Sequence, residues 1–353
     1  MKLEALKIDQ FRGIRDLELN NMEDVNIILG DNDVGKTTVL EALNLFECPE
    51  DFASILRASR MRLINRYSIS QEYYTLYETF LHMFPFSEST YKRIAVSARI
   101  DGHEYSLEIA GDLGRALSLN DGNNKLTGDE EEAEREISVF MGWLSFDGKK
   151  HTFEISENDQ HSTFSKIRPN MNIEYLAPGQ HLSGSSQAVF RSKFLEDQAV
   201  QALKIIDRDI EGVKLVPSES RYGSNPVIEH RLHGEVPLYA CGDGLKKIFL
   251  IASILPVVKN GILMIDEIET SLQAKHLQTV FGWLLNACAQ FRVQLYVTTH
   301  SAEAISAMSG IAVDSPRRLA CYRLERQGDS VKARRFSQEK LENLVNGSGI
   351  DVR

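Results

Sequence analysis

The sequence predicts an α/β fold built on a mixed β-sheet, with antiparallel β-hairpins and a helical insertion separating the two halves of the sheet. Three observations predict it. The apolar run VNIIL at 25–29 leads straight into the glycine-rich GDNDVGKTT of 30–38 and then into a segment of helical spacing. A second apolar run, ILMI at 262–265, ends in Asp266 and Glu267. A third lies within VQLYVTTHS at 293–301 and stops just before His300. Short continuous apolar runs suit strands of a sheet covered on both faces. The β-α-β order around the last two runs gives parallel neighbours.

Residues 2–9 alternate apolar and polar, and FRGIRDLEL repeats the alternation after a turn at Gly13, which reads as a strand pair. After VNIIL and its loop, Val39, Leu40, Leu43 and Phe46 mark one face of a helix. Residues 50–90 read as mostly helical, through ILRASRMRLI and YYTLYETFLHMF. Asp101-Gly102 and Asp147-Gly148 each sit between strand-like segments, the signal for two-residue hairpin turns. Between them, 121–136 (DGNNKLTGDEEEAERE) reads as a solvated acidic loop. NIEYLA at 172–177 is a strand, 189–211 has helical spacing, VKLV is a strand, and 216–235 is a polar stretch with Pro and Gly. LYACGDGLKKIFLIASILPVV reads as a turn then a helix, and HLQTVFGWLLNACAQ as a helix. RLACYRLER with VKARRFS closes the chain as a hairpin. The two halves of the sheet then fall within 1–48 and 237–353, with 49–236 as the insertion, in a single domain of 353 residues.

The chain has a net charge of −10, with 42% hydrophobic and 25% charged residues, ordinary values for a globular protein. An acidic chain lacks the footprint of a dedicated DNA binder. Arg317, Arg318, Arg323, Arg326, Lys332, Arg334 and Arg335 make the C-terminal part locally basic, and a solvated strand face is the simpler reading. Cys48, Cys241, Cys288 and Cys321 have no metal-ligand spacing and read as free thiols in a reducing cytoplasm. The charged N-terminus is no signal peptide, and no run of about 18 apolar residues exists to span a membrane.

Residues 30–38 match G-x-x-x-x-G-K-[ST] in full, in strand-to-helix context. Gly30 and Gly35 allow the backbone to wrap a phosphate, and the loop amides around Asn32 and Val34 face the anion at a helix N-terminus. Lys36 reaches the β- and γ-phosphates, Thr37 ligates Mg²⁺, and Thr38 supports the α-phosphate side. Asp266, at the end of a buried strand, holds Mg²⁺ through water, and Glu267 polarises the attacking water as general base. A parallel neighbour would bring His300 near Asp266, to sense or polarise the γ-phosphate. CGDGLKK, with Gly242, Asp243 and Gly244 before a helix, is a second anion-binding turn.

In this order, GDNDVGKTT, CGDGLKK, ILMIDE and VTTHS resemble the ABC-type P-loop NTPase head. FRGIRDLEL and IDEIETSL…TTHSAEAI are similar to the overcoming-lysogenization-defect (OLD) group, near the RecF and SMC heads. The likeness covers 1–48 and 237–353 and, in the tail, looks like short stand-alone members. It implies Walker A roles for Lys36 and Thr37 and Walker B roles for Asp266 and Glu267. It makes His300 a switch histidine, Gly242–Gly244 the signature turn, and Thr270–Leu272 the loop at a dimer seam. Gly242 stands where the signature normally has Ser, and Gln273 where relatives often have His. The Q-loop residue stays open among Gln71, Gln180 and Gln187. Too few residues follow His300 for the Toprim nuclease domain of OLD proteins, and Asp207–Asp209 reads as surface on a helix. The resemblance therefore implies an ATPase that uses ATP and Mg²⁺ and forms a homodimer, or a higher even oligomer, around nucleotide. It implies a separate effector, a nuclease or toxin, in bacterial defence or genome maintenance. The alternative is a RecF-like ATPase with nucleic acid as partner; no membrane partner is expected.

Overall fold

The computed structural model describes residues 2–63, 74–118, 135–159, 171–180, 184–217, 224–312 and 317–343. In chain order, β1 (Leu3–Phe11), β2 (Ile14–Asn20) and β3 (Val25–Gly30) precede α1 (Lys36–Asn44), α2 (Phe52–Ser59) and α3 (Leu76–Leu81). Four strands follow: β4 (Tyr91–Ile100), β5 (His103–Ser118), β6 (Arg135–Phe146) and β7 (Lys149–Ser156). Then come β8 (Ile173–Leu176), α4 (Lys193–Leu203), β9 (Ile210–Pro217), β10 (Ser224–His230), β11 (Gly234–Pro237) and α5 (Asp243–Ile254). The last part holds β12 (Ile262–Ile265), α6 (Ala274–Phe291), β13 (Gln294–Thr298), α7 (Ala302–Ala312), β14 (Leu319–Gln327), β15 (Ser330–Ser337) and α8 (Gln338–Glu342).

The chain forms two compact units. One comprises Met1–Ala5, Leu19–Leu40 and Met171–Arg353; the other comprises Leu6–Glu18 and Glu41–Asn170. The sheet of the first unit has the order β15-β14-β3-β13-β12-β8. Its strands pair in parallel except β14 with β15, so it is the expected mixed sheet. All six residues of β3 and all of β12 and β13 are buried, as their unbroken apolar runs require. Leu263, Ile265, Leu295 and Val297 share one core with Phe249 and Ile251 of α5 and with Phe281 and Leu285 of α6.

In the second unit the hairpins join the N-terminal strand pair in a sheet ordered β2-β1-β4-β5-β6-β7. Both Asp-Gly turns have positive φ at both residues: +48° and +79° at Asp101-Gly102, and +48° and +80° at Asp147-Gly148. Those angles match the twist of the flanking strands. The core of this unit is aromatic: Phe80 meets Phe52, Phe84, Phe140 and Phe153 with ring centroids 5.2–5.7 Å apart.

Two local expectations need correction. The polar stretch 216–235 holds β10 and the start of β11; β10 pairs with β9 on one side and β11 on the other in a three-stranded sheet. Only Val227 and Ile228 of β10 are buried, so almost no apolar alternation marks it. The helix expected over 189–211 ends at Leu203, with a 3₁₀ segment, Gly184–Arg191, before it. Asp207 and Asp209 therefore lie in a turn, not on a helix. His230 Nε2 is 3.1 Å from Asp207 Oδ2, and Arg231 donates to Asp209 Oδ1. The acidic stretch 121–136 falls outside the described residues except for Arg135 and Glu136, which begin β6.

Candidate nucleotide site

The phosphate-type loop leaves β3 at Gly30, whose φ is +143°. A Cβ there would lie 2.7 Å from the Leu324 carbonyl oxygen and 2.8 Å from Val34 Cγ1, so this position requires glycine. Asp33 (φ +62°) and Gly35 (φ +109°) complete the curl. Val34 is buried and anchors the loop by packing, while Asn32 is exposed. Lys36 Nζ donates to the Gly30 carbonyl at 2.7 Å and the Asp31 carbonyl at 2.9 Å, folding the ammonium over the loop. Burial pulls the Lys36 pKa down, while Asp266, Glu267, Asp31 and Asp33 oppose the shift. Thr37 and buried Thr38 follow on the first turn of α1.

Parallel pairing sets Ile265 of β12 beside Val297 of β13 and beside Leu176 of β8. The three strand ends thereby converge on Asp266, which is 3% exposed. Thr37 Oγ1 donates to Asp266 Oδ2 at 2.8 Å, and Tyr175 Oη donates to the same oxygen at 3.0 Å. Thr298 Oγ1 donates to Asp266 Oδ1 and accepts from the Glu267 amide at 2.8 Å. Glu267 has φ +46°, which turns the chain sharply after the aspartate. Its Oε2 accepts from Thr270 Oγ1 at 3.2 Å.

His300 is exposed, and both its amide (3.2 Å) and its Nδ1 (3.3 Å) face Glu269 Oε1. The N-terminus of α5 carries the second glycine turn. Gly242 is the exposed N-cap, in extended conformation with no side chain to cap the helix. Asp243 pairs with Lys246 at 3.0 Å. Gly244 lies against the loop after β12, where a Cβ would come 2.9 Å from the Ser271 carbonyl oxygen. Gln273 is the N-cap of α6. Gln180 Oε1 accepts from the Ala177 amide at 3.4 Å, Gln187 is exposed, and Gln71 lies outside the described residues.

Sequence reasoning missed four residues of this cluster: Tyr175, Thr298, Glu269 and Lys247. A signal existed for Thr298, a polar residue closing an apolar strand before His300. Tyr175 has none, because its role depends on the β8–β12 register.

Two family models match the chain: "AAA ATPase domain" over residues 1–166 and "AAA domain, putative AbiEii toxin, Type IV TA system" over 155–306. Among solved structures, an SMC head bound to the C-winged helix domain of ScpA superposes with a TM-score of 0.54. It covers 96% of this chain and 99% of that one at 13% identity. The chain has the fold of an ABC-type ATPase head of the SMC-related group. An "ATP/GTP phosphatase" of Helicobacter pylori is 20% identical to this head over 96% of the chain and 97% of its own length. An uncharacterised Methanocaldococcus jannaschii protein is 42% identical over 65 residues, 18% of the head. That match spans 30% of the relative's own length. Among the described residues, no helix of the head is long and apolar enough to cross a membrane.

Proposed function

We propose that the head binds ATP with Mg²⁺ and hydrolyses it. The observation that carries this reading is the 2.8 Å hydrogen bond between Thr37 and Asp266, which joins the glycine-rich loop motif to the acidic strand end and supports a shared metal-nucleotide site. The donor set suits Mg²⁺, which favours hard oxygen ligands: one hydroxyl and one buried carboxylate on a rigid strand end. When bound, the ion would neutralise charge on the β- and γ-phosphates. Lys36 would leave the loop carbonyls for the phosphates, and the loop amides from Asn32 to Thr38 would wrap them. Glu267, held by the Thr298 hydroxyl and by Thr270, would take the proton of the attacking water, with His300 at the γ-phosphate side. Lys36→Ala should abolish tight ATP binding in a calorimetric titration. Glu267→Gln should keep binding and slow turnover by on the order of 10²–10⁴-fold. Turnover of Glu267→Gln at the wild-type rate would sink the assignment.

The head would work as a homodimer, each Gly242–Gly244 turn facing the nucleotide of the partner, and would regulate a separate effector protein. Gly242 and Asp243 are exposed at a helix N-terminus, as a donor in trans requires. The toxin–antitoxin description of one family model and the protein-bound SMC head support an effector protein as partner. The basic C-terminal residues favour it over nucleic acid, because several are already engaged. Arg317 donates to the Val293 and Cys288 carbonyls, Arg323 faces Glu325, and Arg335 bonds the Asn21 carbonyl and Glu23. Affinity purification should recover an effector chain, and an ATPase rate raised by DNA with no such chain would favour the other partner class.

A further inference from the structure

Helix α5 meets the loop that follows β12 at Gly244 and at Lys247. Gly244 lies against the Ser271 carbonyl. Lys247, one turn into α5, is 1% exposed. Its Nζ donates to the Glu267 carbonyl at 3.1 Å and to the Thr270 carbonyl at 2.9 Å. A buried ammonium is tolerated only when its donors are satisfied, so these carbonyls and the lysine hold each other in place. Burial lowers the Lys247 pKa to about 8, against the opposing pull of Glu269, Glu267 and Asp266. The loop so held runs through Glu267 at φ +46° and Ser271 at φ +70°, conformations that side-chain-bearing residues keep only when their surroundings impose them.

We propose that Lys247 is a positioning residue that fixes the Glu267 carboxylate through the backbone of its loop and ties that loop to the helix of the glycine turn. The inference rests on the reading of Glu267 as general base. The Lys247 amine faces the Glu267 carbonyl, while the Glu267 carboxylate is held by Thr270. A force on the N-terminus of α5 reaches the Glu267 backbone through one side chain and one glycine contact. Phosphate bound at that N-terminus in a dimer would thus set the geometry of the base in the chain that contributes the turn. Engagement of the partner's nucleotide and readiness of a head's own base become one event.

The test compares Lys247→Met and Lys247→Arg with the wild type, each also combined with Glu267→Gln, using ATP and Mg²⁺. Lys247→Met should leave ATP affinity and KM unchanged and lower kcat by on the order of 10²-fold, the scale of an ångström-level misplacement. Lys247→Arg keeps the charge and several donors, so it should restore part of kcat; it carries the test if Lys247→Met does not fold. In the Glu267→Gln background neither change should lower the rate further, because the group they position is gone. A kcat loss that multiplies with that of Glu267→Gln would overturn the proposal, as would wild-type kcat in Lys247→Met. If Glu267→Gln alone turns over normally, the reading of the base fails and takes the positioning role with it.

Discussion

Gly242, in the turn proposed to meet a phosphate in trans, carries no hydroxyl where the signature that the turn resembles has Ser, and the backbone there tolerates a replacement. A Cβ would meet nothing within 4 Å, and φ −64° with ψ 152° is an N-cap conformation open to serine. Gly242→Ser should therefore fold normally, add a few tenths of a kcal/mol by capping α5, and raise the ATPase rate if the turn meets a phosphate in trans. An unchanged rate in steady-state assays would leave the turn as a helix start only. Gly244 is the wrong place to make that test, because the Ser271 carbonyl already fills the space a side chain needs. Lys247 has a consequence for pH as well. Its folded-state pKa, about 8, lies below the ordinary lysine value, so between those limits the unfolded chain holds a proton that the folded one has released. The stability difference between wild type and Lys247→Met should shift in favour of wild type as pH rises through that window. An equal stability difference between the two chains in denaturant titrations at pH 7 and pH 9.5 would contradict this.

Helix α1 begins with Lys36 and Thr37 and carries Glu41, one turn on, which is 1% exposed. Glu41 receives Arg62 through both carboxylate oxygens, at 2.8 and 2.9 Å, and Arg12 Nε lies 2.9 Å from Oε2. Burial already lowers the Arg12 pKa, and Glu41 opposes it. Removing the carboxylate strands a buried guanidinium, so Glu41→Leu should cost about 3–5 kcal/mol in chemical denaturation. A loss under 1 kcal/mol would show that the pair is merely superficial. Elements of this kind also mark how far the sequence could be read. The glycine-rich loop between β3 and α1, the Asp266-Glu267 strand end and the two Asp-Gly turns were legible as local structure because each is encoded within a dozen residues. Arg12, Glu41 and Arg62 were not, since nothing local says that a turn arginine will meet a helix glutamate. β10 was hidden for another reason: its small sheet buries only two of its side chains, too few to print a period of two.

For the whole molecule, a dimer sharing two composite sites makes a prediction that a monomer does not. Lys36→Ala and Gly242→Asp chains should each be inactive, yet mixing them should return part of the activity, because one intact composite site can form per heterodimer. Gly242→Asp suits this use because its side chain enters open space while its charge would oppose phosphate. No recovery across a range of mixing ratios, with both chains folded, would exclude the shared site. The sheet order has a further consequence, for how the chain is made. β3, which opens the phosphate loop, lies between β13 and β14, and the Gly30 backbone pairs with Leu324. A ribosome delivers Gly30 long before either neighbour. At about 5–20 residues per second the strand waits roughly 15–60 s for them. Until β13 and β14 are made the nascent chain therefore exposes an apolar strand with both edges open, and the loop after β3 lacks the Leu324 backbone that pairs with Gly30. Newborn copies of this protein should depend on holding chaperones more than their finished stability suggests, and nucleotide in the cell should rescue nothing until β14 is made.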